Sequence, residues 1–175
     1  MDYFVYNKKT EYLTGLAMKG GSDQLSRIDK NILRLLQGDG RISYAELARQ
    51  VGLTTTPCIE RVKRLERDGY IQTYSTVLNP EKLDAGLIVF VQIRLDRTSK
   101  DTFAQFKEAV LELPEVQECY LVSGNFDYLI KARLADMSTY RLFLEKSLLS
   151  VPAVQESTSI VVMEAIKETL TIPVR

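Results

Sequence analysis

Two spacing patterns of hydrophobic positions divide the chain. Up to about residue 67, apolar residues recur at intervals of three and four, the spacing of amphipathic helices. From residue 87 onward, short runs of consecutive apolar residues alternate with stretches of helical spacing. The pattern therefore predicts a helical part followed by a part that mixes strands and helices.

The helical part contains three amphipathic segments. The first ends at Gly38 and Gly40, and the second and third meet at a Gly-Leu turn within residues 43–69. The predicted inward faces are Ile28, Ile32, Leu35 and Leu36; then Ala45, Leu47, Ala48 and Val51; then Cys58, Val62 and Leu65. Three short helices of this kind predict a small helical core.

Start and stop signals favour a helix-turn-helix within residues 43–69. Ser43 and Glu46 have the spacing of a capping box, and Gly52 suits a left-handed turn. Hydroxyls at residues 54–56 can cap the third helix, and Pro57 suits its first turn. Residues 70–78 are rich in β-branched and aromatic side chains, which predicts a strand or hairpin after the third helix. This element would make residues 25–79 a winged helix-turn-helix. Residues 80–86 are expected to form a linker.

The second half predicts the order β-α-β-β-α-β, which is a ferredoxin-like fold within the α+β class. The expected strands are 87–95, 116–123, 128–134 and 154–164. The helices between them are expected to start at caps Ser99 and Asp136 and to bury Phe103, Phe106, Val110, Leu113, Tyr140, Phe143, Leu144 and Leu148. Both helices should cover one face of the sheet. The other face, carrying Val89, Val91 and Ile93 or their alternates, should pack against a second subunit.

Composition excludes several function classes. The chain has no histidine, which excludes Ser-His-Asp and Cys-His nucleophile pairs and mixed Cys/His zinc sites, and it has no P-loop or GxGxxG run. We expect no catalytic residues, no metal and no cofactor. The two cysteines are too few for a disulfide framework, and the sequence has no apolar run long enough to span a membrane. A cytoplasmic, nucleoid-associated protein is therefore expected. Residues 1–24 are interpreted as an extension outside both domains, and 168–175 as a tail.

Charge is distributed unevenly although the net charge is zero. Residues 25–80 carry nine Lys/Arg and six Asp/Glu, whereas 81–175 carry eleven and fourteen. Cations concentrated on a helix-turn-helix indicate double-stranded DNA as a partner, although basic amphipathic helices are also common on solvated surfaces. The third helix is expected to direct Thr55, Thr56, Glu60, Arg61 and Arg64 toward groove or backbone. Arg41, Lys63 and Arg67 are expected at phosphates. The candidate DNA-binding residues are Arg41, Ser43, Thr54, Thr55, Thr56, Glu60, Arg61, Lys63, Arg64 and Arg67.

Several longer motifs carry a family resemblance. The segments RIDKNIL (27–33), DGRIS (39–43), TPCIERVKRLE (56–66), LVSGNFDYL (121–129) and VVME (161–164) closely resemble the Lrp/AsnC transcription regulators. The resemblance runs from about residue 25 to about 167. It implies an N-terminal winged helix-turn-helix, a C-terminal ligand-sensing and oligomerisation domain over 87–167, dimers that assemble into octamers or larger rings, and a response to a free amino acid such as leucine.

The resemblance also implies an effector site near the turn 124–127, between dimers. Carried over by position, the response residues are Leu121, Asp127, Met137, Ile160, Val161 and Val162. We expect Asp127 to bind the ammonium group, backbone N–H groups of Ser123, Gly124, Asn125 and Phe126 to bind the carboxylate, and apolar side chains to bind the effector side chain. From the residues alone, the same turn could simply close a hairpin with Asp127 as its cap.

Two departures from the family pattern stand out. Ile160 replaces a tyrosine found in a close member, and the run at 54–56 replaces Ser-Pro-Thr. Two other functions remain open from the sequence. One is an architectural DNA-compacting protein that ignores ligands, and the other, less favoured without histidine, is a small enzyme of ferredoxin-like fold.

Overall fold

The structure, a computed structural model, describes residues 25–96, 101–151 and 153–175. These residues form two compact units, and each is described separately. One unit spans Leu78–Ile166, and the other contains the described residues up to Val77 together with Lys167–Arg175. The terminal segment is thus part of the helical unit. The proposed extension 1–24 and the expected cap Ser99 lie outside the described residues.

The helical unit is built from three helices. They are α1 (Arg27–Gly38), α2 (Tyr44–Val51) and α3 (Thr55–Arg67). Their buried core consists of Ile32, Leu47, Ala48, Cys58, Val62 and Leu65. The predicted inward faces are confirmed except that Ala45, in the first turn of α2, is exposed.

Capping in this unit differs in detail from the prediction. The Ser43 hydroxyl accepts the Glu46 N–H at 3.2 Å, but the Glu46 carboxylate binds Arg49 instead of returning to the cap. A complete capping box occurs one helix earlier, between Ser26 and Asp29. Gly52 ends α2 with φ of 71°, as predicted, whereas Thr54 occupies the N-cap of α3 without a side-chain hydrogen bond.

The segment after α3 is extended without forming a strand ladder in this chain. Residues 71–79 have no regular secondary structure, so the strand or hairpin predicted for 70–78 is not formed within the described residues. High strand propensity is not sufficient to form a β-strand, because a strand also needs a neighbouring strand at hydrogen-bonding distance. Tyr74 instead fixes the segment to α3 by donating its hydroxyl proton to Glu66 at 2.9 Å. A short helical turn, Glu81–Leu83, occupies the predicted linker.

The second unit has the predicted β-α-β-β-α-β order. Its strands are β1 (Leu87–Leu95), β2 (Val116–Leu121), β3 (Tyr128–Leu134) and β4 (Val154–Val161), and its helices are α4 (Thr102–Leu111) and α5 (Met137–Phe143). The strands form one antiparallel sheet in the order β2-β3-β1-β4. The last helix continues through a wider turn at Leu144–Leu148. Asp136 caps α5 as predicted, because its carboxylate accepts the Thr139 N–H at 2.8 Å.

The alternating burial along β1 shows which face of the sheet the helices cover. Val89, Val91 and Ile93 are fully buried against Phe106 and the other core residues of α4 and α5. The alternates are therefore the residues that the helices leave uncovered, with Phe90, Gln92 and Arg94 directed to the opposite face. We call this opposite face the open face. It is partly polar, since Lys131 pairs there with Glu118 across the strands.

Within the described residues, no helix is long and apolar enough to cross a membrane. The same residues contain no group of three or more acidic or cysteine side chains placed to hold a metal ion.

Candidate DNA interface and effector site

An exposed polar stripe runs along α3 opposite its buried face. Thr56, Glu60, Lys63 and Arg67 recur at intervals of four, three and four, so they share one side of the helix. All four are exposed, whereas Cys58, Val62 and Leu65 on the other side are buried. We call these four residues the outer stripe. Its hydroxyl, carboxylate and two cations are groups that can meet base edges and phosphates.

Two further cations of α3 turn toward α1. Arg61 Nη1 lies 3.0 Å from Asp29 Oδ1, and Arg64 Nη2 lies 2.8 Å from Asp29 Oδ2. The Asp29 side chain is only 3% exposed. A buried carboxylate on α1 therefore binds two arginines of α3, which fixes the two helices relative to each other.

Asp29 is held in its charged form. Burial on its own would raise the pKa of Asp29, but hydrogen bonds from Ser26 and Arg61 and the nearby charge of Arg64 outweigh it and lower this pKa. The Ser26 hydroxyl donates to Asp29 Oδ2 at 2.6 Å and the Ser26 N–H at 3.1 Å. The arrangement is a structural ion pair that the sequence analysis did not anticipate for Arg61 and Arg64.

The other predicted DNA-binding residues surround α3. Arg41, Ser43, Thr54 and Thr55 are all exposed. Thr54 and Thr55 stand at the start of α3, where unpaired backbone N–H groups also favour a phosphate. The predicted residues thus fall into three sets: the exposed groups at the start and outer stripe of α3, the arginine pair bound to Asp29, and Arg41 and Ser43 just before α2.

The predicted effector turn is well ordered by Asp127. This residue is 4% exposed, and its carboxylate Oδ2 accepts the Leu95 N–H at 2.8 Å. Its backbone N–H donates to Ile93 and its carbonyl accepts from Val122. The Asp127 carboxylate is therefore engaged in holding β1 and the turn together, which is the capping role that the residues alone allow. The ammonium contact implied by the family resemblance stays a prediction.

A recess of about 310 Å³ lies beside this turn. It is lined by Arg94, Leu95, Gly124, Asn125, Phe126, Asp127 and Gln155. The Arg94 guanidinium donates to the Asn125 carbonyl at 2.7 and 3.2 Å, and its Nη1 lies 3.0 Å from Glu156 Oε2. Both charged side chains are about half exposed, so a cation and an anion stand side by side at the edge of the recess.

The predicted effector residues fall at opposite ends of the sheet. Leu121 pairs with Tyr128 next to Ile93, so it and the turn lie at the end of β1. Val161 pairs with Val89, and the Val162 N–H donates to Ile88 at the start of β1. Met137 follows β3 near that start, and Ile160 pairs with Phe90. The five residues from Ile93 to Ile88 span about 17 Å along the strand, and Ile160, opposite Phe90, lies about 10 Å along it from Leu121. Leu121 and Ile160 also lie on β2 and β4, the two outer strands of the sheet, so one chain does not gather these residues into one pocket.

The sequence analysis missed Asp29, Arg94 and Glu156. Asp29 looks like an ordinary first-turn acid of α1 in the sequence. A signal existed for Arg94, because it is the single charge within the apolar run 87–95. The pairing of Arg94 with Glu156 depends on the register between β1 and β4, which the local sequence pattern does not predict.

Comparison with known proteins identifies the domain family of each unit. The model of the Lrp/AsnC ligand binding domain matches residues 88–172, and the model of a winged helix-turn-helix DNA-binding domain matches residues 25–72. The chain is 57% identical over 144 residues to the leucine-responsive regulatory proteins of Klebsiella pneumoniae and Escherichia coli K12, covering 82% of this chain and 88% of theirs.

Solved structures match both units in order. A transcriptional regulator from Neisseria meningitidis, solved in complex with L-Met, aligns with a TM-score of 0.82 and 36% identity, covering 85% of this chain and 96% of that one. An AsnC family regulator from Agrobacterium tumefaciens aligns with a TM-score of 0.80 and 38% identity, covering 84% and 95%. This chain belongs to the Lrp/AsnC family of amino-acid-responsive, DNA-binding transcription regulators.

Proposed function

We propose that the outer stripe of α3 faces the DNA, with Thr56 and Glu60 toward base edges in the major groove and Lys63 and Arg67 at phosphates. Arg41, Ser43, Thr54 and Thr55 contact the DNA backbone around it. The observation that carries this proposal is the partition of cations on α3. Lys63 and Arg67 are exposed on the side away from the core, whereas Arg61 and Arg64 are bound to Asp29. The pair bound to Asp29 then acts chiefly by fixing the angle of α3, and Arg64, which is 44% exposed, reaches the backbone at most.

Replacing Lys63 with alanine tests this assignment. Loss of one phosphate contact should weaken binding to all DNA sequences and reduce the slope of log affinity against log salt by about 1. Fluorescence anisotropy of a labelled duplex at several salt concentrations measures both. Lys82→Ala is the matched control, because Lys82 is an exposed lysine of the other unit. Equal effects of Lys63→Ala and Lys82→Ala would refute the stripe assignment.

We further propose that the effector is a free amino acid, leucine or a similar one, and that it binds at the recess beside the turn. A zwitterion carries a carboxylate and an ammonium group close together, and Arg94 and Glu156 offer the complementary charges 3.0 Å apart. Neighbouring backbone groups of residues 124–126 and the half-buried Phe126 complete a mixed polar and apolar lining. Asp127 supports this site by holding the turn.

Assembly between copies is the natural way to complete such a site. The apolar residues Met137, Ile160, Val161 and Val162 lie toward the other end of the sheet, about 10 Å or more along the strands from the turn, so we place them at an effector bound on another copy of the chain. Tyr120 and Ile160, each about half exposed on the open face, are apolar surface available for such contact. We infer a homodimer that associates further, to an octamer in the simplest case, in the cytoplasm on chromosomal DNA.

Calorimetry and light scattering test both points on the full chain. L-Leucine and L-methionine are titrated into the protein by calorimetry, and the assembly state is read by light scattering with and without each amino acid. Glu156→Gln removes the negative charge while leaving Arg94 to hold the Asn125 carbonyl, so it should weaken amino-acid binding tenfold or more. Arg141→Gln, an exposed arginine on α5, is the control.

The outcomes separate the two functions still compatible with the fold. Binding of one amino acid, weakened by Glu156→Gln and accompanied by a change in particle mass, supports a sensor at this recess. Binding that ignores Glu156→Gln refutes the recess, and DNA binding without any amino-acid response favours an architectural protein.

A further inference from the structure

The C-terminal segment runs along α1 of the helical unit. Gln37 of α1 forms two hydrogen bonds with the backbone of Ile172: its Oε1 accepts the Ile172 N–H at 2.8 Å, and its Nε2 donates to the Ile172 carbonyl at 3.1 Å. One turn earlier on α1, Arg34 Nη2 donates to the Val174 carbonyl at 2.8 Å. The Arg34 guanidinium is itself oriented by Asn31, whose side-chain oxygen lies 2.9 Å from Nη1.

The spacing on both elements fits an extended peptide. Arg34 and Gln37 are three residues apart, so they lie on one side of α1. Residues 172 and 174 are two apart, so in an extended chain their carbonyls point the same way. Pro173 between them has no N–H, and therefore leaves no backbone donor unpaired on the outer edge. The side-chain amide of Gln37 satisfies residue 172 as a neighbouring strand would.

This recognition depends on the backbone of the tail. The Ile172 side chain is 70% exposed, so the two Gln37 hydrogen bonds reach the peptide group and not the side chain. Among residues 168–175, Val174 alone is half-buried and the others are exposed. The site therefore requires an amide at position 37 and an N–H at position 172, and tolerates other side chains at 172.

The tail also gives the chain a second connection between its two units. Among the described residues, the chain passes from one unit to the other at Val77–Leu78 and again at Ile166–Lys167. The second crossing follows β4, which ends at Val161, within the group 160–162 proposed above for the effector site. Only ten residues separate Val162 from the Gln37 contact at Ile172. A docked tail thus links the end of the sensing sheet to α1, and a released tail does not.

We propose that this face of α1 is a docking site for the chain's own C-terminal segment, and that docked and released tails are two states through which the sensing unit acts on the DNA-binding unit. The regulatory half of this proposal rests on the amino-acid response proposed above, whereas the docking half does not. A segment with two states biased by both sites is the physical requirement for coupling. Tethering through the chain keeps the local concentration of the tail high, so a few hydrogen bonds suffice to populate the docked state.

Hydrogen exchange of the full chain tests docking directly. Gln37→Ala leaves the tail sequence unchanged and should speed exchange of the Ile172 amide roughly tenfold, because each lost hydrogen bond contributes a few-fold to docking. Gln105→Ala, an exposed glutamine on α4, should leave that rate as it is. Equal exchange rates in wild type, Gln37→Ala and Gln105→Ala would overturn the docking site.

Two tail substitutions separate backbone from side-chain recognition. Ile172→Ala keeps the N–H and should leave digestion of the tail by carboxypeptidase as slow as in wild type, once the enzyme's preference is corrected with free peptides. Ile172→Pro removes the donor and should speed digestion severalfold. Fast digestion of Ile172→Ala would contradict backbone recognition.

A cross-link identifies which copy holds the tail. In a Cys119→Ser background, which removes the exposed thiol, Gln37→Cys and Ile172→Cys are joined with a short bismaleimide. An intrachain product supports docking on the same chain, and an interchain product would overturn that assignment.

The functional consequence is measured as amino-acid-dependent DNA affinity. Gln37→Ala should reduce severalfold the change in DNA affinity caused by the amino acid, and because coupling is reciprocal it should also shift the calorimetric affinity for the amino acid measured without DNA. An undiminished response would overturn the coupling role. If wild type shows no response, the proposed effector function fails while the exchange experiment still decides docking.

Discussion

The ion pairs between Asp29 of α1 and two arginines of α3 allow a quantitative test of how these two helices are held together. Asp29→Asn keeps the size of the side chain and removes the charge that binds Arg61 and Arg64. Removing one partner of a fully buried ion pair costs about 3–5 kcal/mol, and a hydrogen bond to a charged group contributes about 1.5–3 kcal/mol. The two arginine side chains are 32% and 44% exposed, so water regains part of this loss. We expect the free energy of unfolding of the helical unit to fall by about 2 kcal/mol.

Amide exchange of α1 and α3, followed by mass spectrometry on the full chain, reports this unit specifically. A loss of 2 kcal/mol corresponds to roughly 30-fold faster exchange of amides that open by unfolding of the unit. Asp68→Asn is the control, because Asp68 pairs with Arg67 on the surface, where such a pair contributes less than about 1 kcal/mol. The reasoning is refuted if Asp29→Asn changes exchange no more than Asp68→Asn.

The same substitution predicts a pH dependence. Folding lowers the pKa of Asp29 below its ordinary value of 3.8, so the folded state favours the charged form. Its stabilisation is complete above pH 3.8 and is lost as pH falls through the lower folded-state pKa. The difference between wild type and Asp29→Asn should therefore be constant near neutral pH and shrink below about 3.8. A difference that grows on acidification would contradict this account.

Three further predictions follow from local geometry. Gly52→Ala should destabilise the helical unit by about 1 kcal/mol in urea unfolding, because Gly52 has a φ of 71°, which alanine adopts only with strain. A Cβ at this position would meet no atom within 4 Å, so the cost comes from the backbone alone. Gly52→Asn should therefore cost less than Gly52→Ala. Asp136→Ala should speed amide exchange at the start of α5, because it removes the N-terminal cap of that helix. Hydrogen bonds from residues 138 and 139 lower the pKa of Asp136 to about 2. In wild type, the slow exchange of these amides should therefore be lost as pH falls from 4 toward 2. Arg61→Ala should weaken DNA binding less than Lys63→Ala when compared at equal folded fraction by anisotropy; the reverse order would return Arg61 to the groove.

Much of the fold could be predicted because hydrophobic spacing is a local property. The bounds of β1 and β3 match the prediction, and Cys58, Val62 and Leu65 are buried as their spacing required. The segments outside the helices of the first unit were harder. A strand was predicted at 70–78, where propensity is high but the described residues provide no partner strand, and the tail was not assigned to the helical unit.

The candidate sites divide along the same line. Gly52, the α3 cations and the turn at 124–127 were identified from residue type and spacing, since turn and helix chemistry act over three or four residues. The partner of the Asp127 carboxylate was not, because Leu95, whose N–H it accepts, is thirty-two residues away in sequence. Arg61 and Asp29 are likewise thirty-two residues apart, which no periodicity connects.

The sequence by itself determined which residues are apolar, the order of most helices and strands, and that cations gather on a helix-turn-helix, because all of these depend on neighbours within about one turn or one strand. Tertiary structure alone decided how those groups are used. Packing of α1 against α3 buries Asp29 and thereby commits two of the helix's arginines to the core edge. Strand register sets Arg94 beside Glu156, and the return of the chain places residue 172 on Gln37. Such pairings arise from which distant segments come together, and the energy that selects them is the burial of whole faces rather than the preference of any single residue.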